Sequence, residues 1–454
     1  MTGLAIVGGR VWDATRTEPL ENATVLIDAG RIVSVSTEAP PDGVDQIDAR
    51  GRFVMPGLVD MHVHVQLCGD DSLYAFLGTG ITSVRDVGSD IDESLPMRAA
   101  LAAGERDGPR LFVYGPLLDG DPSVLGGVLG GITRLQTTPE EGIGNVNELI
   151  DRGVDGLKLY AGLRPDLVGP MFEAVGGRVP VTGHLGRTWA SEAIELGINC
   201  LEHVHATVYQ DIVRPEDRHT REGGNGTMPN YWSWLTEGWA RADLDAEYVA
   251  AFVEQLVKRE VAVSPTTVLV GGLVAAQSTD RAGQEYRPGH MRRRDQEAAE
   301  LMARMRKEAE REGRETPERA PVDPEVVAAA QSNQVELLRR IHTAGGRVLP
   351  GTDVGAVRPL NPGFSLHSEL ALLVREGFSN EAVLAAATLD AARVLRVDDQ
   401  QGTLEAGRVA DVLVIDGDPL GDIEATRRLV TVVKAGVAYD PTEVLGRIDV
   451  GEDG

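Results

Sequence analysis

Nine histidines are spread over 454 residues, and two of them stand one residue apart in VMPGLVDMHVHV, residues 54–65. A Pro-Gly opens this stretch and an apolar run follows. Successive side chains of a strand alternate faces, so His62 and His64 share one side while Val63 points away. Two neutral imidazoles a strand-pleat apart can bind one metal ion. The plain alternative is a pair of solvent-facing histidines on an edge strand, and the apolar surroundings weigh against it. Further candidates end other apolar runs: His184 after VPVTG, His203 after NCLE and Asp353 after VLPGT. One histidine on an apolar segment is ordinarily a satisfied core residue. Four at successive strand ends, with an aspartate on the last, read as a ligand set.

Lys158 adds to this set. Lysine accounts for four of the 44 basic residues, and this one lies in VDGLKLYAG, at the tip of another apolar run. An ammonium there would face metal cations, an unfavourable pairing of like charges. Carbon dioxide adding to the amine would give a carbamate, an anion with two oxygens able to bridge two metals. A lysine reaching out to solvent is the alternative. The carbamate reading predicts a pair of ions.

These residues need strands to hold them. The first ~55 residues read as short strands with turn signals (LAIVGGRVWDA, ATVLIDAGRIVSVS, DQIDARGRFV), and similar text returns in GTLEAGRVADVLVIDGD and LVTVVKAGVAYD. The two ends are expected to pair into one small β-sandwich domain over residues 1–55 and 405–454. Between them, eight short apolar strands alternate with helical stretches: VMPGLVDMHVHV, GITSVRDVGS, RLFVYGP, VDGLKLYAG, VPVTGHLG, NCLEHVHA, VAVSPTT and RVLPGTDVG. Doubly buried strands separated by helices imply parallel βα units, and eight imply a TIM (β/α)8 barrel over residues 56–404, in the α/β class. Strand ends at the mouth of such a barrel are where its active sites lie. Two connections are long: about 206–245, containing YWSWLTEGWA, and about 276–325, containing HMRRRDQEAAELMARMRKEAEREGRE. The second reads as a solvated helix, with a lid as the other possibility.

Composition narrows the partners. A net charge of −26 argues against nucleic acid and anionic membrane, both polyanions. Two cysteines, Cys68 and Cys200, form neither a zinc ribbon nor a disulfide framework. The opening MTGLAIVGGRVWD lacks a basic stretch followed by an apolar one, and no run approaches the ~18 apolar residues of a membrane span. The expectation is a cytoplasmic enzyme acting on a small molecule.

The order HVH, strand-end lysine, GH, EH and GTD resembles the amidohydrolase superfamily in its binuclear, carboxylated-lysine form. MPGLVDMHVH is similar to its first-strand signature, GITSVRDVG to its second strand, and TLDAARVLRVDDQQGTLEAGRVADVLVIDGDPLGDI to its final helix and returning sandwich. The branch with imidazolonepropionase-like and Xaa-Pro dipeptidase-like members is the nearest. The resemblance implies that His62, His64 and Asp353 hold a more buried metal and His184 and His203 a more exposed one. Carboxylated Lys158 would bridge them, with a shared hydroxide as nucleophile and Asp353 as general base and then acid. Zinc is the default ion, and manganese or cobalt would also suit these ligands. A homo-oligomer is expected because such barrels commonly associate.

His205, two residues past His203, shares its face as a competing ligand, a substrate contact or polar filler. Tyr160, two past Lys158, could reach substrate, and Tyr231 and Trp232 could wall an apolar group. Many dipeptidase-like relatives carry Gly-Gly-His after strand three. Here GPLLDGDPSVLGGVLGG has no histidine and reads as a flexible loop, which puts a dipeptidase in doubt. His367 and Glu369 in GFSLHSELALL read as helix text, and His219, His290 and His342 as inserted loops or helix surfaces. The resemblance implies hydrolysis of a C–N bond in an N-acyl amino acid, dipeptide or similar small molecule. A carbamate, urea, cyclic amide, ester or lactone would suit the same nucleophile. A deaminase would not need Lys158, and a non-catalytic scaffold would not need the full ligand set.

Overall fold

Five strands open the chain: β1 (Leu4–Val11), β2 (Leu20–Asp28), β3 (Arg31–Ser36), β4 (Asp45–Asp48) and β5 (Phe53–Pro56). The computed structural model describes residues 3–123, 131–221, 231–269, 281–311, 322–356 and 359–451. The parallel region follows with β6 (Leu58–Val63), β7 (Ile81–Asp86), β8 (Arg110–Val113), β9 (Leu117–Gly120), β10 (Thr133–Gln136), β11 (Leu157–Leu159), β12 (Val181–Gly183), β13 (Cys200–Glu202) and β14 (Ala262–Ser264). The chain then returns as β15 (Val412–Ile415), β16 (Leu429–Lys434) and β17 (Val437–Tyr439).

Both ends do build one sheet, in the order β17-β16-β15-β5-β1-β2-β3 with β4 beside β1. Two of its hairpins use the same turn. Ala29-Gly30 and Ala435-Gly436 all have positive φ, at 48°, 77°, 50° and 82°. Such two-residue turns match the twist of the strands they join, and they favour glycine at the second position. Alternation then divides the side chains. Val54, Val412 and Val414 pack with Ile6, Val25 and Val433, whereas Phe53, Leu413 and Ile415 join the larger core next door.

The parallel strands form two sheets, β6-β7-β8 and β10-β9-β11-β12-β13-β14. Residues 347–354 lie between β14 and β6, the place foreseen for an eighth strand. They contribute only isolated parallel bridges, Val263 to Val348 and Val63 to Val354. Pro350 explains the interruption, because it has no N–H to give a ladder; its carbonyl still accepts from Met61 N–H at 3.1 Å. Gly351 is required by the close approach of β6: a Cβ there would sit 2.9 Å from the Cβ of His62. On the other side, Asp155 N–H donates to the Val113 carbonyl at 2.7 Å and links β8 to the approach of β11.

Two expectations about connections change. The glycine-rich stretch after the third predicted strand contains β9, which pairs in parallel with β10 beyond it, and Leu117 and Leu118 bury there. Leu117–Gly120 thus has a partner strand, while residues 124–130, with three of the glycines of the stretch expected to be flexible, lie outside the described residues. The aromatic stretch YWSWLTEGWA, foreseen as loop, is a helix over Tyr231–Ala240 that buries Tyr231, Leu235 and Trp239. A helix over Gly289–Arg311 occupies the charge-dense stretch as foreseen, while 270–280 and 312–321 lie outside the described residues.

Candidate metal centre

Each candidate ligand stands at, or one residue past, the C-terminal end of a parallel strand or of the bridging segment. His62 is in β6 and His64 follows it; Lys158 is in β11; His184 follows β12; His203 follows β13. Asp353 ends the bridging segment, its N–H donating to the His62 carbonyl at 2.8 Å. His203 and Asp353 take left-handed backbone conformations, φ 55° and 60°, which non-glycine residues rarely adopt. Both are held there by neighbouring strands: His203 N–H donates to the Ser264 carbonyl at 2.9 Å.

The side chains converge. Asp353 Oδ1 lies 3.3 Å from His62 Nε2 and 3.1 Å from His64 Nε2, and its Oδ2 lies 3.9 Å from His203 Nε2. Ring centroids are 4.5 Å apart for His62 and His203 and 4.8 Å for His184 and His203. His62, His203 and Asp353 each offer a ligand atom within 4.8 Å of the others. That trio draws on both of the expected metal sites. All six candidates line one cavity of about 190 Å³.

Of the substrate candidates, Tyr160, His205 and Trp232 line the same cavity. Tyr160 stands 4.9 Å from the His184 ring, and Trp232 5.8 Å from His205. Tyr231 is buried behind, 5.4 Å from Trp232. His367 and Glu369 lie in the helix Phe364–Arg375. His367 meets Thr79 and Thr426, and Glu369 accepts from the N–H groups of Thr267 and Val268 at 2.9 and 2.6 Å.

The donor set suits divalent cations. Burial pushes the His184 imidazole down to about 3, helped by the facing Lys158 charge, and burial alone takes His205 to about 4. Neutral imidazoles have the lone pairs that metal ligation uses. Lys158 is buried and its Nζ has no hydrogen-bond partner among the described residues. Burial brings its amine down to about 8 despite the nearby Glu202 and Asp353 carboxylates. A buried amine without a partner among ligand-type residues is a poor structural device and a good candidate for conversion to an anion. The residues present therefore fit a bound divalent cation.

Sequence reasoning missed the network behind the histidines. Glu202 is fully buried in β13 and accepts from His62 Nδ1 at 2.6 Å, from Arg85 Nη2 at 2.5 Å and from the Thr182 hydroxyl. Burial opposes its charge, yet the Arg85 guanidinium, followed by Lys158 and His62, holds it well below the usual carboxylate range. Arg85 in turn donates to the Met61 carbonyl at 2.6 Å. With Nδ1–H committed to Glu202, the Nε2 lone pair of His62 is left for the cavity. Asp60 does similar work on the backbone, accepting from Thr352 Oγ1 at 2.8 Å and from the His62 and Thr352 N–H groups at 3.1 Å. The available signal was a charged residue inside an apolar strand (Asp60, Arg85, Glu202), which burial permits only with a partner.

Residues 293–438 match the model of the amidohydrolase family. The likeness to that family is carried by this stretch, about a third of the chain. The stretch contains Asp353 and β15 and β16, whereas the four histidines and Lys158 precede it. An imidazolonepropionase from Thermoplasma acidophilum is 36% identical over 67 residues, 15% of this chain and 16% of that protein. The chain thus matches under a fifth of the length of its curated relatives. Solved structures align along nearly all of it. A bottromycin amidohydrolase aligns with TM-score 0.70 at 22% identity, covering 99% of this chain and 89% of that one. A Xaa-Pro dipeptidase with bound methionine in its active site gives TM-score 0.66 at 18% identity, with coverages of 96% and 100%. The matched stretch is thus set in a fold shared with these proteins.

Proposed function

We propose that this chain is a metal-dependent hydrolase that cleaves an amide-type C–N bond in a small molecule. The observation that carries this reading is the convergence of His62, His64, Lys158, His184, His203 and Asp353 on one cavity. In this reading His62, His64 and Asp353 would hold one divalent ion, His184 and His203 a second, and Lys158 as its carbamate would supply a further oxygen ligand. Zinc is the first choice, and manganese or cobalt are alternatives. When bound, such ions acidify water to near-neutral pKa and polarise a carbonyl. We read the two parallel sheets and the bridging segment as one interrupted (β/α)8 barrel, and the terminal sheet as a separate domain over 1–55 and 405–454.

The chain's own groups supply the rest. Asp353 is buried beside three imidazoles, where its carboxylate can take the proton of the attacking water and deliver it to the leaving nitrogen. Glu202 keeps His62 in one tautomer, and Arg85 keeps Glu202 in place. Tyr160 and His205 present neutral polar groups to a bound carbonyl, and Trp232, backed by Tyr231, closes one side. The test is a panel of N-acyl amino acids, N-acyl amides, carbamates, ureas and esters given to metal-loaded protein, with released amine and acid measured. Acid and amine in equal amounts, with kcat lowered about 100-fold or more in Asp353→Asn, is the expected result. Ammonia released from an exocyclic amino group would instead mark a deaminase, and no turnover across the panel would overturn the assignment.

A further inference from the structure

The cavity above the ligand cluster is walled by apolar side chains. Leu117 from β9, Ile132 ahead of β10, Leu67 and Leu269 surround it, with Trp232 on one side and Ala356 at the exposed rim. Leu117 and Ile132 are fixed to each other, Leu117 N–H donating to the Ile132 carbonyl at 2.7 Å. Among the described residues lining the cavity, no arginine occurs, and the single lysine is Lys158, on the floor with the ligands. Beyond the ligand set, the polar side chains are those of Tyr160 and His205. His205 Nδ1 is buried and has no hydrogen-bond partner among the described residues.

A carboxylate removed from water needs a cation or several donors, whereas an apolar group needs only area. N-acyl amino acids and dipeptides carry a free carboxylate, and among the described residues the wall above the metal ligands offers it no cation. We infer that the preferred substrate is an uncharged amide or carbamate, with an apolar group against Leu67, Leu117, Ile132, Leu269 and Trp232 and no free carboxylate. This rests on the reading of the site as a C–N hydrolase with Lys158 committed to the metals. His205 and Tyr160 serve the neutral carbonyl, and the wall selects against charge. Specificity of this kind comes as much from what the pocket fails to pair as from what it binds.

N-acetyl-L-leucinamide and N-acetyl-L-leucine are nearly isosteric and differ in charge. Trp232 lines the cavity, so tryptophan fluorescence in the first milliseconds after mixing with metal-loaded protein reads binding before turnover. The expected result is a Kd at least tenfold lower for the amide. Ala356→Arg, a change at the exposed rim checked for folding by circular dichroism, is expected to narrow or reverse that ratio. Equal or tighter binding of the carboxylate, or no saturable signal with either compound, overturns the inference. Should Ala356→Arg not fold, the wild-type ratio alone decides. Product analysis on the same samples separates the two claims. Selective binding of the amide without cleavage sinks the hydrolase reading and leaves the neutral pocket standing; cleavage with carboxylate preferred does the reverse.

Discussion

Glu202 shows what single residues contribute behind the ligands. Its carboxylate receives His62, Arg85 and Thr182 together, at full burial. Removing such an outer carboxylate typically costs metal affinity 10–100-fold. Glu202→Gln preserves the shape but places an amide opposite three donors, at least one of which must then face its NH2, so a loss of about that size is expected, read by metal retained after dialysis against a graded chelator. Unchanged retention would show that His62 holds its tautomer without Glu202. The clustering of the candidate residues was legible because strand periodicity puts alternate residues on one face, and HVH, GH, EH and GTD each end an apolar run. Glu202 and Arg85 were not, because their roles exist only through pairings across 140 and 117 positions. Sequence shows that a buried charge needs a partner, but not which one.

Elements follow the same division. The terminal strands were readable from alternation and from the Ala-Gly turns, and they form one sheet in which β5 lies between β1 and β15. β5 therefore joins the first and last parts of the chain, and Phe53 carries that joint into the larger core. Phe53→Ala is expected to cost about 3–5 kcal/mol, as burial loss plus the cavity left behind. Denaturant unfolding should show it as a lower midpoint at unchanged slope; a change below about 1 kcal/mol would mean that the joint adds little. What the sequence obscured lies where backbone chemistry and packing compete. RVLPGTDVG has the composition of a strand, yet Pro350 removes a donor and leaves isolated bridges. GPLLDG is rich in turn residues, yet the Leu117–Leu118 pair buries and recruits a partner strand. YWSWLTEGWA was read as part of a long connection whose Tyr231 and Trp232 could wall an apolar group, and its helix becomes intelligible once Tyr231, Leu235 and Trp239 have a core to face.

For the molecule as a whole, the two ends make a sheet, the middle makes parallel strands, and the ends of those strands gather six ligand-type residues on one cavity. Among the described residues no helix is long and apolar enough to cross a membrane. The central claim is that the cavity holds two cations and that Lys158 joins them. Elemental analysis of metal per chain tests it most directly, on wild type and Lys158→Ala prepared alike with added zinc and bicarbonate. The account predicts close to two ions in wild type and a clear loss in the variant, with both proteins folded. One ion per chain, unchanged by removing Lys158, would contradict it.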